Sequence, residues 1–422
     1  MPVKDDLTYF WANCYGMSAK NYKVLFCLDI VRESGMRALF DKIENDIIEN
    51  EISLLLIEVS SYIIDPHTIY DLKEKYGLMV LLLAPDDEFK FDWISSTYAT
   101  VADLVLTSDY VSVNRYRQSG VNAHFFPLPV FIPAKLNAYN ISKQHDVSFV
   151  GRVDQGRIRN KFREYIDLPV HNFNISWLVN KGRNDPSFLS QEEMYSVFRN
   201  SSINLNFTGI TVYSNNNNPL FERIRGMKLR PFEIAVSGGF CISEYSISLA
   251  KCFTDGVDIV FCSNKEEMAD KIKYYLAHQD EAKRIALAGS KMIEKKFSSK
   301  AVASKLTKLI QETQEHKGVD LYGEPQRVQV SKLFAACFIE FKLSNGIILL
   351  FKGRFFSFFY DYLDLVKFIR RLSTNHGLFS TLQVVIFSFY RLGKSILAKI
   401  KFLNALSYLK KVLKQNNSKK VE

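Results

Sequence analysis

The strongest constraint on the fold is a series of short apolar segments that alternate with amphipathic helical segments. The apolar segments are rich in Leu, Ile and Val, which is typical of strands buried on both faces of a sheet. Apolar strands joined by helices predict a parallel sheet that is covered on both sides. In the first part of the chain the predicted strands are NYKVLFCLDI, ISLLLIEV, LMVLLLA, DLVLTS and AHFFPLP.

Helix and turn signals separate these strands. A helix is predicted over RALFDKIENDIIENE, and Asp65-Pro66 opens the next one, with a side-chain acceptor at the cap and proline in the first turn. That helix should end at Gly77. A polar loop, PDDEFKFD, then precedes a helix near residues 93–101, and another helix should end at Gly120.

A second alternating unit begins at DVSFVGR, after the proline-rich segment PLPVFIPAK, which we interpret as a linker. Because 422 residues exceed one ordinary core, two domains are expected. We predict an α/β protein with two doubly wound, Rossmann-like parallel-sheet domains, at residues 1–133 and 134–320. They should face each other across a cleft, with ligands at the carboxyl ends of the strands.

The remaining segment, residues 330–422, differs in charge from the body. From Ser331 to Glu422 there are 16 Lys and Arg against 4 Asp and Glu, which leaves 39 against 41 in the preceding residues. The basic excess therefore belongs to the extension and not to the domains. It contains no recognisable nucleic-acid-binding motif, so no nucleic acid is expected as a partner.

The extension is predicted to form amphipathic helices. Around residues 355–371 one helical face is polar and the opposite face is aromatic and aliphatic. Basic residues around such helices suit an anionic membrane surface, and the alternative is a helical subdomain that packs on the body or on a second copy. No run reaches the roughly eighteen uncharged apolar residues that a membrane span needs. The polar face carries Ser357, Asp361, Asp364 and Arg371, and the apolar face carries Phe355, Phe359, Tyr362, Val366 and Ile369.

The segment KLRPFEIAVSGGFCISE, residues 228–244, is the best candidate site. Pro231 and Gly238-Gly239 predict a short helix over residues 231–237, whose first turn, with Lys228 and Arg230, could bind an anion. Glu233, one turn inside, could accept two hydroxyl hydrogen bonds, as from a ribose. Phosphate donors beside a diol acceptor suit a nucleotide-diphosphate sugar. The alternative is a glutamate that only complements the helix dipole.

Three motifs carry a family resemblance: FVGR at 149–152, INLNF at 203–207 and RPFE followed by GGFCISE, which ends at Glu244. In their order and spacing, residues from about 146 to 313 resemble the C-terminal domain of GT-B glycosyltransferases of the CgeB-like group. Residues 51–133 resemble the matching N-terminal domain more loosely. The resemblance implies the GT-B fold and transfer of a sugar from a nucleotide-diphosphate donor to a hydroxyl.

The resemblance also implies site residues. Glu233 would hold the ribose of the donor, and Gly151 and Arg152 would lie over its diphosphate, which agrees with a glycine that admits a ligand and an arginine that pairs with phosphate. The donor site is predicted to comprise Gly151, Arg152, Lys228, Arg230, Glu233, Gly238, Gly239 and Glu244. In many retaining GT-B enzymes a second glutamate stands eight positions before the first, where this chain has Arg225. That departure leaves the stereochemistry open and also allows a catalytically silent carbohydrate-binding or assembly protein.

Asp86 is the candidate catalytic base, because Asp86-Asp87 follows a buried strand; the alternative is a solvated turn. Adjacent carboxylates without a third ligand do not predict a metal, and no cofactor is expected besides the donor substrate. The expected acceptor is a glycan or a lipid-linked molecule of cell-surface polysaccharide or glycoconjugate synthesis. Isolated cysteines and an N-terminus without a signal peptide predict a cytoplasmic protein, peripheral on the inner face of the plasma membrane if the extension binds lipid.

Overall fold

The computed structural model describes residues 14–17, 19–58, 62–127, 130, 143–151, 159–179, 188–209, 225–315 and 328–394. Two parallel sheets organise these residues. The first has four strands in the order β1-β2-β3-β4, and the second has five in the order β6-β5-β7-β8-β9. The strands are β1 Leu54–Glu58, β2 Met79–Ala84, β3 Leu104–Thr107, β4 Ala123–Phe125, β5 His145–Gly151, β6 Ile175–Val179, β7 Ser201–Asn206, β8 Cys241–Glu244 and β9 Val260–Cys262.

Helices connect and cover these strands. A π-helical turn, Phe91–Ser95, joins α3 to α4, and residues 378–394 form a last described helical segment after α14. The helices are α1 Cys27–Glu49, α2 Pro66–Tyr76, α3 Asp87–Lys90, α4 Ser96–Ala99, α5 Tyr110–Gln118, α6 Arg159–Ile166, α7 Gln191–Arg199, α8 Arg230–Val236, α9 Ile247–Ala250, α10 Lys265–Ala277, α11 Gln279–Phe297, α12 Ser299–Glu315, α13 Lys332–Phe351 and α14 Phe355–His376. The predicted α/β class with two parallel sheets and C-terminal helices is confirmed.

Most predicted elements are present with small shifts at their ends. Asp65 caps α2 by accepting the His67 N–H at 3.0 Å, and Gly77 ends that helix in the left-handed conformation with φ of 64°. The predicted secondary structure is wrong in two segments. The polar segment 85–92 is not a loop throughout, because helical structure begins at Asp87 and continues to Ala99.

The predicted strand over residues 21–30 is wrong, because Cys27 begins helix α1. A kink at Gly35, with φ of 86°, interrupts α1, and the Met36 N–H donates to Asp361 Oδ1 at 2.9 Å instead of to its own helix. An apolar run of this length fits a strand or a buried helix equally well in a local pattern. Here the partner that fixes the helix, Asp361, is 325 positions away.

The first sheet is covered on each face by helices distant in sequence. Side chains of β2 alternate between two cores: Val80, Leu82 and Ala84 contact one cluster, and Met79, Leu81 and Leu83 the other. The first cluster includes Phe334, Phe338 and Phe368 of α13 and α14. The second includes Val302, Leu306 and Leu309 of α12. The described helices of the C-terminal extension therefore pack on the body.

Helix α13, Lys332–Phe351, is long and apolar enough to cross a membrane by length and composition. Its inner side chains, among them Phe334, Ala335, Phe338 and Ile339, are nevertheless buried in the core of the first sheet. A core helix of a soluble domain passes the same test of length and composition. The burial of α13 is therefore that of a helix in the core of the first domain.

Candidate functional site

Polar contacts join the carboxyl edges of the two sheets. The Met227 N–H, just before α8, donates to Glu88 Oε1 of α3 at 2.5 Å. Ser248 in α9 donates to Asp109 Oδ1 at 3.2 Å and accepts the Tyr110 N–H at 3.0 Å. Since Glu88 follows β2, Asp109 follows β3 and Ser248 follows β8, strand ends of both sheets meet here. This is where ligands bind in open α/β sheets.

Helix α8 places Glu233 at this edge. The helix precedes β8 and runs antiparallel to it, so its first turn lies near the carboxyl ends of the strands. Glu233 is almost buried, and Arg230 Nη1 donates to its Oε2 at 2.7 Å. Arg230 also lies over the Phe198 ring, 5.4 Å from the ring centroid, and contacts Met194. The two residues predicted for ribose and phosphate, Glu233 and Arg230, therefore pair with each other.

Gly238 and Gly239 lie at the other end of α8. Gly238 has φ of 80°, as the predicted helix end requires, and the Gly239 N–H donates to Ile234 O at 2.9 Å. A Cβ at Gly239 would lie 2.8 Å from the Phe198 carbonyl oxygen, so the backbone approaches too closely for a side chain. Both glycines precede the amino end of β8, on the opposite edge of the sheet from Glu244. This position favours a structural role for the two glycines, and the donor contacts predicted for them stay predictions.

Glu244, the last residue of β8, is buried, and both of its carboxylate oxygens lie close to groups of the protein. Its Oε2 accepts the N–H groups of Thr208 and Gly209 at 2.8 and 3.0 Å, and its Oε1 lies 2.6 Å from Arg225 Nε. The donor-binding role predicted for Glu244 stays a prediction. Its contacts favour a structural role, because they join the residues after β7 to Arg225, in the segment before α8. Arg225, at the position of the missing glutamate, is thereby fixed by an ion pair.

Gly151, Arg152 and Lys228 complete the predicted donor site. Gly151 ends β5 at the carboxyl edge of the second sheet, and a Cβ there would lie 2.8 Å from the Phe149 ring. Lys228 is half-buried just before α8. Arg152 lies outside the described residues. The structure therefore brings Gly151, Lys228 and Glu233 to one edge of one sheet, although their donor contacts stay predictions.

Asp86, the predicted base, follows β2 at the cleft and adopts the left-handed conformation with φ of 62°. Its Oδ2 lies 3.2 Å from Lys90 Nζ, and its side chain is about half exposed. Asp87 is fully buried and accepts the Tyr116 hydroxyl at 2.8 Å, inside the first domain and away from the cleft. Burial raises the pKa of Asp87 to about 6.

Glu88 is the cleft residue that sequence reasoning missed. It is partly buried, and its carboxylate reaches the backbone of the second domain through Met227. Burial raises the pKa of Glu88 to about 7; the Met227 N–H opposes this shift, and the negative charge of Asp109 adds to it. The signal was the run Asp86-Asp87-Glu88, in which helical periodicity turns neighbouring side chains to different sides. When the segment is interpreted as a loop, its first carboxylate, Asp86, is favoured as the base.

Among the described residues, no three His, Cys, Asp or Glu side chains form a group that could hold a metal ion. The metal-independent mechanism stays a prediction.

The fold and this cleft define a protein of two parallel-sheet α/β domains with its candidate site between them. Residues 156–308 match the family model described as glycosyl transferase-like. The second domain is therefore similar to that glycosyltransferase family, and the predicted resemblance is confirmed. A search of curated proteins finds no match.

Several solved structures with a similar fold have low sequence identity to this protein. One is sucrose-phosphate synthase from Thermosynechococcus elongatus, 12% identical over 71% of this chain and 82% of that chain, with a TM-score of 0.45. Another is HepE from Anabaena in complex with UDP and glucose, 8% identical over 67% and 83%, with a TM-score of 0.47. A third is the lipopolysaccharide outer core galactosyltransferase WaaB, 12% identical over 70% and 84%, with a TM-score of 0.42.

Proposed function

We propose that the protein transfers a sugar from a nucleotide-diphosphate donor to a hydroxyl of a glycan or lipid-linked acceptor, in synthesis of a cell-surface polysaccharide or glycoconjugate. The observation that carries this proposal is the position of Glu233. Its carboxylate lies in the first turn of α8, at the carboxyl edge of a sheet in a glycosyl transferase-like domain. A carboxylate there accepts hydroxyl hydrogen bonds from a ribose, whereas it would repel phosphate.

The pairing of Glu233 with Arg230 supports this role. Arg230 Nη1 contacts one carboxylate oxygen at 2.7 Å, so the side chain is oriented before a ligand arrives. The same guanidinium is close enough to the start of α8 to contribute positive charge near the donor diphosphate. Gly151 and Lys228 lie at the same edge, where they would contact the phosphates as the nucleoside diphosphate leaves.

Glu88 is our candidate for the base, in place of Asp86. The acceptor hydroxyl would lose its proton to the Glu88 carboxylate while its oxygen attacks the anomeric carbon. The bond from that carbon to the diphosphate oxygen would break, and the diphosphate would keep the electron pair. A base with a pKa near working pH suits this step. Direct displacement of this kind inverts the anomeric carbon, which agrees with the absence of a carboxylate at position 225.

The test is a screen of nucleotide-sugar donors for released nucleoside diphosphate, with and without EDTA. Glu233→Ala should weaken donor binding by about 1–3 kcal/mol, because hydroxyl hydrogen bonds are lost, without unfolding the domain. Glu192→Gln, an exposed glutamate in the first turn of α7, is the matched control and should change nothing. Unchanged nucleotide affinity with a large fall in melting temperature would assign Glu233 a structural role.

The pH dependence of turnover tests Glu88. Activity should rise with pH through about 7, because the base must be unprotonated, and Glu88→Gln should abolish this rise along with most of the turnover. Nucleotide affinity should be retained in that variant. If Asp86→Asn removes turnover and Glu88→Gln does not, Asp86 is the base, as the sequence suggested. Loss of activity in EDTA that added Mg²⁺ restores would contradict the metal-independent mechanism.

One observation favours a second function, a catalytically silent carbohydrate-binding or assembly protein. Arg225 stands where many retaining relatives carry a glutamate, and it is fixed by Glu244 at 2.6 Å. The donor screen separates the two functions. A silent protein would bind a nucleotide or a glycan in calorimetry and release no nucleoside diphosphate with any donor and acceptor.

A further inference from the structure

Helix α14 packs with its polar face toward the body. Asp361 is buried, accepts the Met36 N–H at 2.9 Å and accepts from Asn345 Nδ2 at 3.1 Å. One turn further, Asp364 pairs with the buried Lys342, with 3.5 Å between Oδ2 and Nζ. Arg371 donates to Asp71 of α2 at 2.8 Å. These polar contacts, together with the buried Leu365, Phe368 and Leu372, attach the helix to the first domain.

The aromatic face of α14 consequently faces outward. Phe355, Phe359, Tyr362 and Val366 recur at helical spacing, and each is about half exposed or more. Phe356 beside them is 85% exposed, and Phe351, at the end of α13, is 89% exposed. An ordinary amphipathic surface helix buries this kind of face and exposes the polar one. Helix α14 buries Asp361 together with Leu365, Phe368 and Leu372, and it leaves this second row of large apolar side chains in contact with water.

The helical segment after α14 repeats the pattern. Its inward side chains Thr381, Val384 and Ser388 are buried, and Val384 belongs to the core of the first sheet. Its outward side chains are apolar and exposed: Leu378, Phe379, Leu382, Ile386 and Phe389. We call the outward faces of α14 and of residues 378–394 the aromatic surface. Exposed apolar patches larger than those of an ordinary monomer mark sites of interaction with a membrane or a protein.

Within residues 343–394 the exposed charges beside the aromatic surface are of one sign. Exposed basic side chains occur between the exposed aromatic ones: Lys352, Arg354, Lys367, Arg370 and Lys394. The two carboxylates in residues 343–394, Asp361 and Asp364, are occupied by contacts within the fold. The described part of this surface therefore attracts anions. A second copy docked through the same surface would place these cations against each other.

We propose that the aromatic surface docks on an anionic lipid leaflet, with its aromatic side chains among the headgroups and its cations at the lipid phosphates. Aromatic side chains suit this interface, and each cation near an anionic leaflet strengthens the attachment. The burial of the polar face means that docking needs no rearrangement of the helix. The inference concerns where the protein acts and does not depend on the reaction proposed above.

The test is sedimentation of the full chain with phosphatidylcholine vesicles, with and without phosphatidylglycerol. The wild-type protein should sediment with the anionic vesicles and not with the neutral ones. The variant Phe355→Ser, Phe356→Ser, Phe359→Ser should bind at least about tenfold more weakly, because its side chains lose insertion into the interface. Phe188→Ser, at an exposed phenylalanine of the second domain, is the matched control and should bind like wild type.

Thermal melting separates docking from folding. Because the three phenylalanines are exposed, the triple variant should melt at or near the wild-type temperature. Equal vesicle binding by the triple variant and wild type would overturn the proposal, as would a wild-type protein that ignores anionic vesicles. A wild-type dimer that the triple variant converts to a monomer, without vesicle binding in either, would assign the surface to a second copy.

Discussion

The two sheets differ in the origin of the helices that cover them. The core of the second sheet is built almost entirely from residues between 143 and 297, so most of its partners are neighbours in the chain. The first sheet takes one cover from α12 and another from α13 and α14. Contacts in this domain, such as the hydrogen bond from Met36 to Asp361, join residues that are 325 positions apart in the chain. Changes in the C-terminal helices should therefore damage the first domain before the second.

The largest effect is expected from removal of these helices. A chain that ends at Tyr322 exposes the core of the first sheet that Phe334, Phe338 and Phe368 now cover. Each such side chain stabilises the fold by about 1.5–3 kcal/mol, so the loss of these three alone is comparable to a typical net stability of roughly 5–15 kcal/mol. We expect the shortened chain to aggregate or to lose the first domain, as circular dichroism and melting would show.

A chain that ends at Lys394 is the control, because it keeps the described helices of the extension. It should melt cooperatively. If the chain ending at Tyr322 melts at the same temperature as the full protein, the C-terminal helices are not needed to stabilise the first domain. The proposed difference between the two sheets would then be wrong.

Asp361→Ala should have the next largest effect. It leaves the Met36 N–H and the Asn345 amide without their buried acceptor, at a cost of about 3–5 kcal/mol in the free energy of unfolding. Asp361→Asn keeps an acceptor and should cost less. Urea denaturation measures both. Hydrogen exchange should increase in α1 and α14 and stay unchanged in β7–β9; an equal increase in both sheets would contradict the separation of the two cores.

This contrast explains what the sequence could predict. Strands β2, β3 and β7 could be recognised because their apolar runs are short and flanked by local turn signals, and the ends of α2 because Asp65 and Gly77 act on neighbouring backbone. The helix at Cys27 could not, since its kink is stabilised by Asp361 from the far end of the chain. The orientation of α14 was also inaccessible, because its pattern fits burial of either face.

The same limit applies to the candidate site. Glu233 could be placed from its own helix, since the proline and the glycines that bound α8 lie within the motif. Glu88 could not, because its functional interest comes from a contact with Met227, 139 positions away in the other domain. The role of Glu244 could not be predicted either, because it depends on contacts with the backbone N–H groups of Thr208 and Gly209, which no local sequence pattern indicates.

A smaller effect confined to the second domain is expected for Glu244→Gln. The change removes the charge that pairs with Arg225 and turns an amide toward that guanidinium, so we expect a loss of about 2–3 kcal/mol. Nucleotide affinity should fall as well, because the end of β7 is released at the cleft. Glu266→Gln, an exposed carboxylate 3.9 Å from Lys265, should cost almost nothing. If the two variants have the same free energy of unfolding, the contacts of Glu244 do not stabilise the end of β7.

The smallest effect concerns Glu88, where the two regions meet. Its pKa in the folded protein is about 7, above the ordinary value of 4.5, so between these values the folded state keeps a proton that the unfolded state has lost. The free energy of unfolding should therefore fall as pH rises through this window and level off above it. Glu88→Gln cannot ionise and should remove this slope, whereas Glu74→Gln, exposed on α2, should preserve it.

Urea denaturation at about pH 5 and about pH 8 measures the slope. Parallel profiles for Glu88→Gln and wild type would mean that Glu88 does not change protonation on folding, and the argument for it as a base would lose its electrostatic support.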